Sequence, residues 1–336
     1  MQKWLSSPRA RQRLGRWMTP FAALGGLALL GYAVVDVGVD QILQTVGVLG
    51  PILPIVLAIT FFKYPLQAAA WRLALKPDMR PRWTPSIAAT LSGDALGYLT
   101  WAGPLTGEPL KAYLMRDLVP VAVGVTAGAA ERLLYNVTAA GIIMIAAALA
   151  FPHLGFGRGH SAGVFVALLA VPTCGGLAWW VRSRRGHAAP ASAASPRSRG
   201  VIASVAHDLW RERPAALAAI LAIELAQQAL LMCEAYVMLT ALGAEPGLRT
   251  VAIFEGVTKA VNSIGGIVPG RLGIAEGGTA LAAGALGLGA RYGMGLAIMR
   301  RVRALAWGAV GLLLLWYREY HARKRTAPSA QHVGHG

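Results

Sequence analysis

Long apolar runs separated by short polar segments dominate this chain and predict membrane-spanning helices. A helix needs about 20 mostly apolar residues to cross the hydrocarbon layer. Apolar runs of 14 to 29 residues occur at Pro20–Val39, Pro51–Leu75, Arg132–Phe151, Ser161–Val181, Pro214–Leu242 and Ala304–Tyr317. We therefore predict an all-α polytopic membrane protein with about six full spans.

Composition supports this prediction and excludes other classes. Only 14% of the 336 residues are charged, whereas soluble domains carry about a quarter. The net charge of +17 can indicate nucleic-acid binding, but the basic residues cluster at the ends of apolar runs, as the positive-inside rule describes. The two cysteines and seven histidines have no metal-site spacing, and no ATPase or hydrolase motif is present. We expect no nucleic-acid partner, metal, cofactor or enzymatic activity.

Basic segments set the expected orientation and the division of the chain. The N-terminus 1–19, the Arg- and Ser-rich linker 182–213 and the tail 318–336 are all basic, which predicts that all three are cytoplasmic. The linker separates two membrane halves, 20–181 and 214–317. Counting spans from these segments makes 86–130 enter and leave on the cytoplasmic side and 250–297 on the outer side. Each is either two full spans or a re-entrant pair, and their short, Gly- and Pro-broken runs favour re-entrant helices.

The two same-side segments share a pattern that predicts an inverted repeat. GPLTGE ends at Glu108 and PGRLGIAE ends at Glu276, and each glutamate precedes an arginine, Arg132 or Arg300, by 24 residues. We therefore predict the pairs Glu108 with Arg132 and Glu276 with Arg300. The predicted structural breaks are Pro104, Gly107, Pro269, Gly270, Gly273 and Gly277.

Charged residues near these breaks form the candidate site. Ends of broken helices attract anions and can line a polar pocket, and ionisable residues at membrane depth indicate function. The predicted substrate-binding residues are Glu108, Lys111, Glu131, Arg132, Lys259, Asn262, Arg271, Glu276, Arg300, Arg301 and Arg303.

Some of these residues have a simpler interpretation. Glu131 can form a local ion pair at a helix end. The arginines at 300, 301 and 303 either face an inner cavity or are cytoplasmic in a different topology. A polar face formed by Glu224, Gln227 and Gln228 can serve hydrogen bonds between helices or face a substrate.

Four segments together resemble a known family. They are GPLTGEPLKAYLMR (Gly103–Arg116), AERLLYN (Ala130–Asn136), VPGRLGIAEGG (Val268–Gly278) and MRRVRALAW (Met299–Trp307). In this order they resemble the flippase-like transmembrane domain of lysylphosphatidylglycerol synthases, which has stand-alone members, some of them hopanoid-associated. The resemblance maps the family's GE and ER motifs onto Gly107–Glu108 and Glu131–Arg132. It maps the PG-x-LG-x-x-EG motif onto Pro269, Gly270, Leu272, Gly273, Glu276 and Gly277.

The resemblance implies a multi-pass protein of the bacterial inner membrane that moves lipid between leaflets. We expect no soluble aminoacyl-transferase domain, and we therefore expect that this chain does not aminoacylate lipids. Our leading hypothesis is translocation of a lipid or lipid-linked molecule with an anionic or amine-bearing headgroup, without an ATPase. One alternative is a membrane enzyme acting on a headgroup, with Glu108 or Glu276 as general base. Another is a scaffold that docks a lipid-synthesis enzyme through 182–213.

Overall fold

The computed structural model describes residues 50–100, 104–150, 211–265 and 274–326, with residues 40, 47 and 209. All regular structure in these ranges is helical. The predicted spans Pro20–Val39 and Ser161–Val181, and most of the linker 182–213, lie outside them. The eight α-helices in the described ranges are α1 (Leu53–Ala74), α2 (Trp83–Leu99), α3 (Pro104–Leu114), α4 (Val121–Ala150), α5 (Pro214–Ala241), α6 (Leu248–Gly265), α7 (Ile274–Ala285) and α8 (Ala290–Thr326).

Helix length separates two classes of element. Three segments of the described chain, Gly50–Ala74, Val121–Ala150 and Pro214–Ala241, are long and apolar enough to cross a membrane. By contrast, α3 has 11 residues and α7 has 12. At 1.5 Å per residue they extend only about 16 and 18 Å, which is roughly half of a hydrocarbon layer about 30 Å thick.

Two predicted boundaries are wrong because they fall inside continuous helices. Helix α4 runs unbroken through residue 130, so Glu131 and Arg132 lie within it and do not form an ion pair at a helix end. Helix α8 begins before residue 297 and contains the predicted last span, Ala304–Tyr317. Charged residues interrupt the apolar pattern in both helices, but they do not interrupt the backbone hydrogen bonds.

Of the predicted breaks in the described residues, Pro104 lies at the start of a helix, whereas Gly107 and Gly277 are not breaks. Helix α3 begins at Pro104, a position where proline is favoured because its missing N–H has no partner there. Gly107 lies inside α3 and Gly277 inside α7, so neither is a break. Gly107 instead allows α3 to pack closely on α2, since a Cβ there would lie 2.6 Å from the carbonyl oxygen of Gly93. Pro269, Gly270 and Gly273 lie outside the described residues.

The main helix contacts are the same when the two halves are exchanged. In order and approximate length, α1, α2, α3 and α4 correspond to α5, α6, α7 and α8. Helix α2 packs along α8, and its counterpart α6 packs along α4. Within the halves, the contacts α1–α2, α2–α3, α3–α4 and α1–α4 correspond to α5–α6, α6–α7, α7–α8 and α5–α8. Between the halves, α1–α8 corresponds to α5–α4, and α1 packs on its own counterpart, α5.

Arginines join several helix ends at one end of the bundle. Arg213, at the start of α5, donates hydrogen bonds to the last carbonyls of α1, the shortest being 2.9 Å to Leu75. Arg318 in α8 donates to the carbonyl of Leu114, the last residue of α3, at 2.9 Å. The start of α2 lies here too, because the guanidinium of Arg72 is 3.9 Å from the centre of the Trp83 ring.

A second set of contacts joins the opposite end. Arg249, at the start of α6, donates two hydrogen bonds of 2.6 and 3.1 Å to the carbonyl of Leu149, at the end of α4. The hydroxyl of Tyr292, at the start of α8, donates to the carbonyl of Gly243, just after α5, at 3.4 Å. Thus α2 starts and α3 ends at the first end of the bundle, while α6 starts and α7 leads into α8 at the other.

Candidate functional site

Buried polar side chains occupy the middle of the bundle. One apolar cluster, which includes Trp71, Ile220 and Leu315, packs towards the first end. Another, which includes Met238 and Phe254, packs towards the opposite end. Between the two clusters, the long helices carry Thr60, Lys63 and Gln67 on α1, Glu131, Arg132 and Thr138 on α4, Glu224, Gln227, Gln228 and Glu234 on α5, and Arg300 and Arg303 on α8.

The first charged cluster joins α3 to α4. The predicted ion pair of Glu108 and Arg132 is present, with 3.1 Å between Oε1 and Nη2. Lys111 Nζ lies 2.8 Å from the other oxygen of Glu108 and 3.0 Å from Oε2 of Glu131. The side chains of Lys111 and Glu131 are each only 3% exposed. The four predicted residues therefore form one connected group with two cations and two carboxylates.

Local sequence explains how these groups meet. Glu108 and Lys111 are three residues apart in α3 and so lie on one face of it. Gly128 in α4 leaves space for the carboxylate, because a Cβ at this position would lie 2.5 Å from Oε2 of Glu108. The indole N–H of Trp71 donates to the carbonyl of Gly124 at 3.1 Å, which fixes α1 against the same part of α4.

The second charged cluster joins α6 to α8. Arg300 Nη2 lies 2.6 Å from Oε2 of Glu255, and Nη1 donates to Thr258 Oγ1 at 2.7 Å. Lys259 Nζ lies 3.1 Å from Oε1 of Glu255. We predicted Glu276 as the partner of Arg300. The side chain of Glu276 lies outside the described residues, so that pairing stays a prediction.

Sequence analysis missed Glu255. Its spacing of four from Lys259, within a helix of mixed polarity, is the one signal that could have found it.

Tyr135 connects the two clusters. Its ring centre is 5.4 Å from the guanidinium carbon of Arg132 and 5.5 Å from Nζ of Lys259. Both distances are within the range of cation–π attraction. Helix α4 therefore carries a group that contacts cations of both halves.

Two further ion pairs extend the polar layer. Lys63 Nζ lies 2.9 Å from Oδ2 of Asp94, and Gln67 donates to Oδ1 of the same carboxylate at 3.3 Å. Arg303 forms an ion pair with Glu234. The hydroxyl of Thr60 also lies 3.2 Å from Glu234 Oε2. Sequence analysis did not find Asp94 or the pairing of Glu234, since their partners are distant in sequence.

The remaining predicted residues are placed only in part. Arg301 lies on α8 beside Arg300 and is half-buried. Asn262 belongs to α6, but its side chain is not described, and Arg271 lies outside the described residues. Within the described part of the chain, no group of His, Cys, Asp and Glu could hold a metal ion.

Among the described ion pairs, the first cluster joins two cations to two carboxylates, and the second joins Lys259 and Arg300 to Glu255. In addition, the buried Nε atoms of Arg132 and Arg300 have no hydrogen-bond acceptor in the described chain. Guanidinium groups match phosphate and carboxylate geometry, so the layer is able to accept an anionic group.

The polar face of α5 lies beside the first cluster. Gln228 Nε2 lies 3.5 Å from Thr138 Oγ1 on α4, which is a hydrogen bond between helices, as one of our two interpretations predicted. Gln227 Nε2 donates to Oε2 of Glu224 at 3.0 Å within α5. Glu224 has 0% exposure.

An apolar groove of about 560 Å³ lies on the outside of the bundle, between α1 and α5. It is lined by Phe62, Pro65, Leu66, Ala226, Ala229, Leu230 and Cys233. Phe62 is adjacent to Lys63, so the groove adjoins the polar layer.

Comparison with known proteins agrees with the resemblance of the sequence motifs. Residues 20–319 match the family model described as the lysylphosphatidylglycerol synthase TM region. No curated protein and no solved structure matches the chain. Because the match covers most of its length, the chain belongs to this family of membrane proteins.

Proposed function

We propose that this protein moves a lipid, or a lipid-linked molecule, between membrane leaflets as a flippase-like transporter without its own ATPase. One observation carries the proposal: a buried layer of charged side chains lies in the middle of an otherwise apolar bundle. Charges at membrane depth are costly and are retained where they bind or move a polar group. The family supports a role connected with membrane lipids.

The short helices support a re-entrant arrangement. Helix α2 starts and α3 ends at the end of the bundle joined by Arg213 and Arg318. Helix α6 starts at the end joined by Arg249. We infer that α2–α3 and α6–α7 are two hairpins that enter the membrane from opposite faces. Non-helical backbone at their tips is tolerated where it is covered by protein or lines a cavity.

The exchangeable helix contacts support an inverted repeat. Two halves of the same topology that enter from opposite faces are related by an axis in the membrane plane. With the two apolar runs outside the described residues, α1, α4, α5 and α8 would make six full spans. The basic segments support cytoplasmic positions for both termini, and the family resemblance supports a bacterial inner membrane.

In this arrangement the charged clusters provide a path for the headgroup. A phosphate-bearing headgroup would take hydrogen bonds from Arg132, Arg300 and Lys259, in exchange for those made to Glu108 and Glu255. An amine-bearing headgroup would use the same two carboxylates. Exchange of ion pairs keeps every charge partnered, which lowers the cost of crossing the low-dielectric interior. The groove beside Phe62 gives the acyl chains a place to remain in lipid.

Transport is favoured over headgroup chemistry by the state of Glu108. Both of its carboxylate oxygens already contact a cation, Lys111 or Arg132, whereas a general base must reach the proton that it takes from a substrate. These contacts support the proposed role as a transporter rather than an enzyme.

Lipid movement in vesicles containing only the purified protein tests the proposal. We compare wild type with Arg132→Gln and Arg300→Gln, each of which leaves its carboxylate paired with a lysine. We expect both to slow movement of a labelled phospholipid by at least about tenfold, because a hydrogen bond to a charged group contributes ~1.5–3 kcal/mol. The matched control is Arg291→Gln, whose guanidinium lies over the ring of its neighbour Tyr292 away from the clusters.

Three results would contradict the proposal. If labelled phospholipid moves no faster in vesicles with the wild-type protein than in protein-free vesicles, the protein does not transport it. Unchanged movement in both arginine variants would reject the site. A chemically altered lipid in the wild-type vesicles would instead favour the enzyme hypothesis.

A further inference from the structure

Glu224 differs from the other buried carboxylates of the polar layer. Asp94, Glu108, Glu131, Glu234 and Glu255 each form an ion pair with a lysine or an arginine. In the described part of the chain, Glu224 forms none. Its Oε2 accepts a hydrogen bond from Gln227, while Oε1 has no hydrogen-bond partner.

Burial makes this state unfavourable for a charged carboxylate. Glu224 has 0% exposure, and an unpaired buried charge costs several kcal/mol, which a group avoids by binding a proton. Oε1 of Gln228, one helical turn further on, is also buried without a donor. A proton on Oε1 would remove the unpaired buried charge of Glu224.

We propose that Glu224 is a proton-binding site that couples movement of the headgroup to movement of a proton. The inference rests on the proposed transport function, and it names the ion that drives transport.

The surroundings of Glu224 explain how one proton can affect the first cluster. The charged groups that act most strongly on its carboxylate are Glu131 and Arg132 on α4, Lys63 on α1 and Lys111 on α3. Helices α6 and α8, which also pack on α5, carry Glu255, Lys259, Arg300 and Arg303, which are paired with one another or with Glu234.

The proton step is simple to write. The O–H bond of the Glu224 carboxyl breaks, the electron pair stays on the carboxylate, and the proton passes to a water molecule, which becomes hydronium. The new negative charge then attracts Lys111 and Arg132, which weakens their pairs with Glu108. Rebinding a proton restores those pairs. Access of a headgroup to Arg132 would therefore alternate with protonation of Glu224.

Infrared spectroscopy tests the proton site without reference to transport. Purified protein in lipid at neutral pH should show the carbonyl stretch of a protonated carboxylic acid. We expect this band to disappear in Glu224→Gln and to persist in Glu245→Gln, which changes an exposed glutamate of the loop after α5. If Glu224→Gln does not fold, Gln227→Leu should shift the band, because it removes the hydrogen bond to Oε2. A band unchanged by both substitutions, or absent from wild type, would overturn the proposal.

A pH gradient across vesicles tests the coupling. We expect the gradient to bias the final distribution of labelled phospholipid in wild type and to have no effect in Glu224→Gln. Wild type that moves lipid but ignores the gradient would overturn the coupling and leave transport intact. Wild type that moves no lipid would reject transport itself, while the infrared band would still decide whether Glu224 binds a proton.

Discussion

Substitution of Gly128 by alanine should disturb the first charged cluster without unfolding the bundle. A Cβ at this position would lie 2.5 Å from Oε2 of Glu108, whereas ordinary contacts begin near 3.4 Å. The carboxylate must therefore move by about 1 Å, which a flexible side chain can do more easily than backbone. The groups that hold it, Arg132 and Lys111, would then lose their present distances of 3.1 and 2.8 Å.

The expected cost follows from these distances. Lengthening an ion pair from about 3 to 4 Å weakens its Coulomb attraction by roughly 1.4 kcal/mol at an effective dielectric constant near 20. Two pairs are affected, and replacement of a helical glycine by alanine returns ~0.5–1 kcal/mol. We therefore expect Gly128→Ala to destabilise the cluster by about 2 kcal/mol; if the whole of this loss appears in the barrier to transport, movement slows more than tenfold, since 1.4 kcal/mol corresponds to roughly a factor of ten in rate.

The same helix provides a matched control for this variant. A Cβ at Gly141, also in α4, would meet nothing within 4 Å. Both variants are measured for lipid movement in vesicles and for thermal unfolding in detergent. We expect Gly141→Ala to move lipid at the wild-type rate and to be slightly more stable. If Gly128→Ala moves lipid as fast as Gly141→Ala, the position of Glu108 does not control transport.

Three further substitutions test how the bundle is held together. Arg303→Met should destabilise the protein by ~3–5 kcal/mol, because it leaves Glu234 buried without a cation. In thermal unfolding, the double variant Arg303→Met/Glu234→Gln should recover most of that stability. If it does not, loss of the ion pair is not the cause of the destabilisation. Arg213→Gln should lower stability by roughly 1–2 kcal/mol, because the last carbonyls of α1 lose charged donors, and it should increase proteolysis between α1 and α2; an unchanged cleavage rate would contradict this. Trp71→Phe should cost about 1–3 kcal/mol by leaving the carbonyl of Gly124 without its donor, and equal melting temperatures for variant and wild type would show that the hydrogen bond contributes nothing.

Sequence periodicity and spacing predicted the helices and one half of the site. The equal spacing of glutamate and arginine indicated the pair of Glu108 with Arg132, and this pair is present. It could be predicted because both residues belong to adjacent elements of one half, joined by a short connection. The family was also predictable, since its motifs lie in the order found here.

In the second half, spacing did not identify Glu255 as a partner of Arg300. Arg300 contacts Glu255, which lies on α6 and precedes it by 45 residues. This contact depends on how α6 packs against α8, and sequence gives no measure of that packing. For the same reason, the sequence did not predict the pair of Lys63 with Asp94.

The predicted helix boundaries in α4 and α8 were wrong for a different reason. Charged residues inside α4 and α8 were interpreted as span ends, because a charge facing lipid would end a span. Glu131 is instead buried against Lys111 of a neighbouring helix. The apolar pattern of the sequence is therefore interrupted at a position where the helix continues.

The central claim is that two hairpins enter the membrane from opposite faces and meet at a layer of charges. Single cysteines in a background lacking Cys174 and Cys233 can be labelled from one side with a membrane-impermeant maleimide. Asp78→Cys and Asp117→Cys flank the first hairpin, and Glu245→Cys and Ala290→Cys flank the second; all four positions are exposed. We predict that the first two label from one side of the membrane and the last two from the other. Labelling of Asp78→Cys and Asp117→Cys from opposite sides would mean that α2 and α3 together cross the membrane only once, and would contradict the claim.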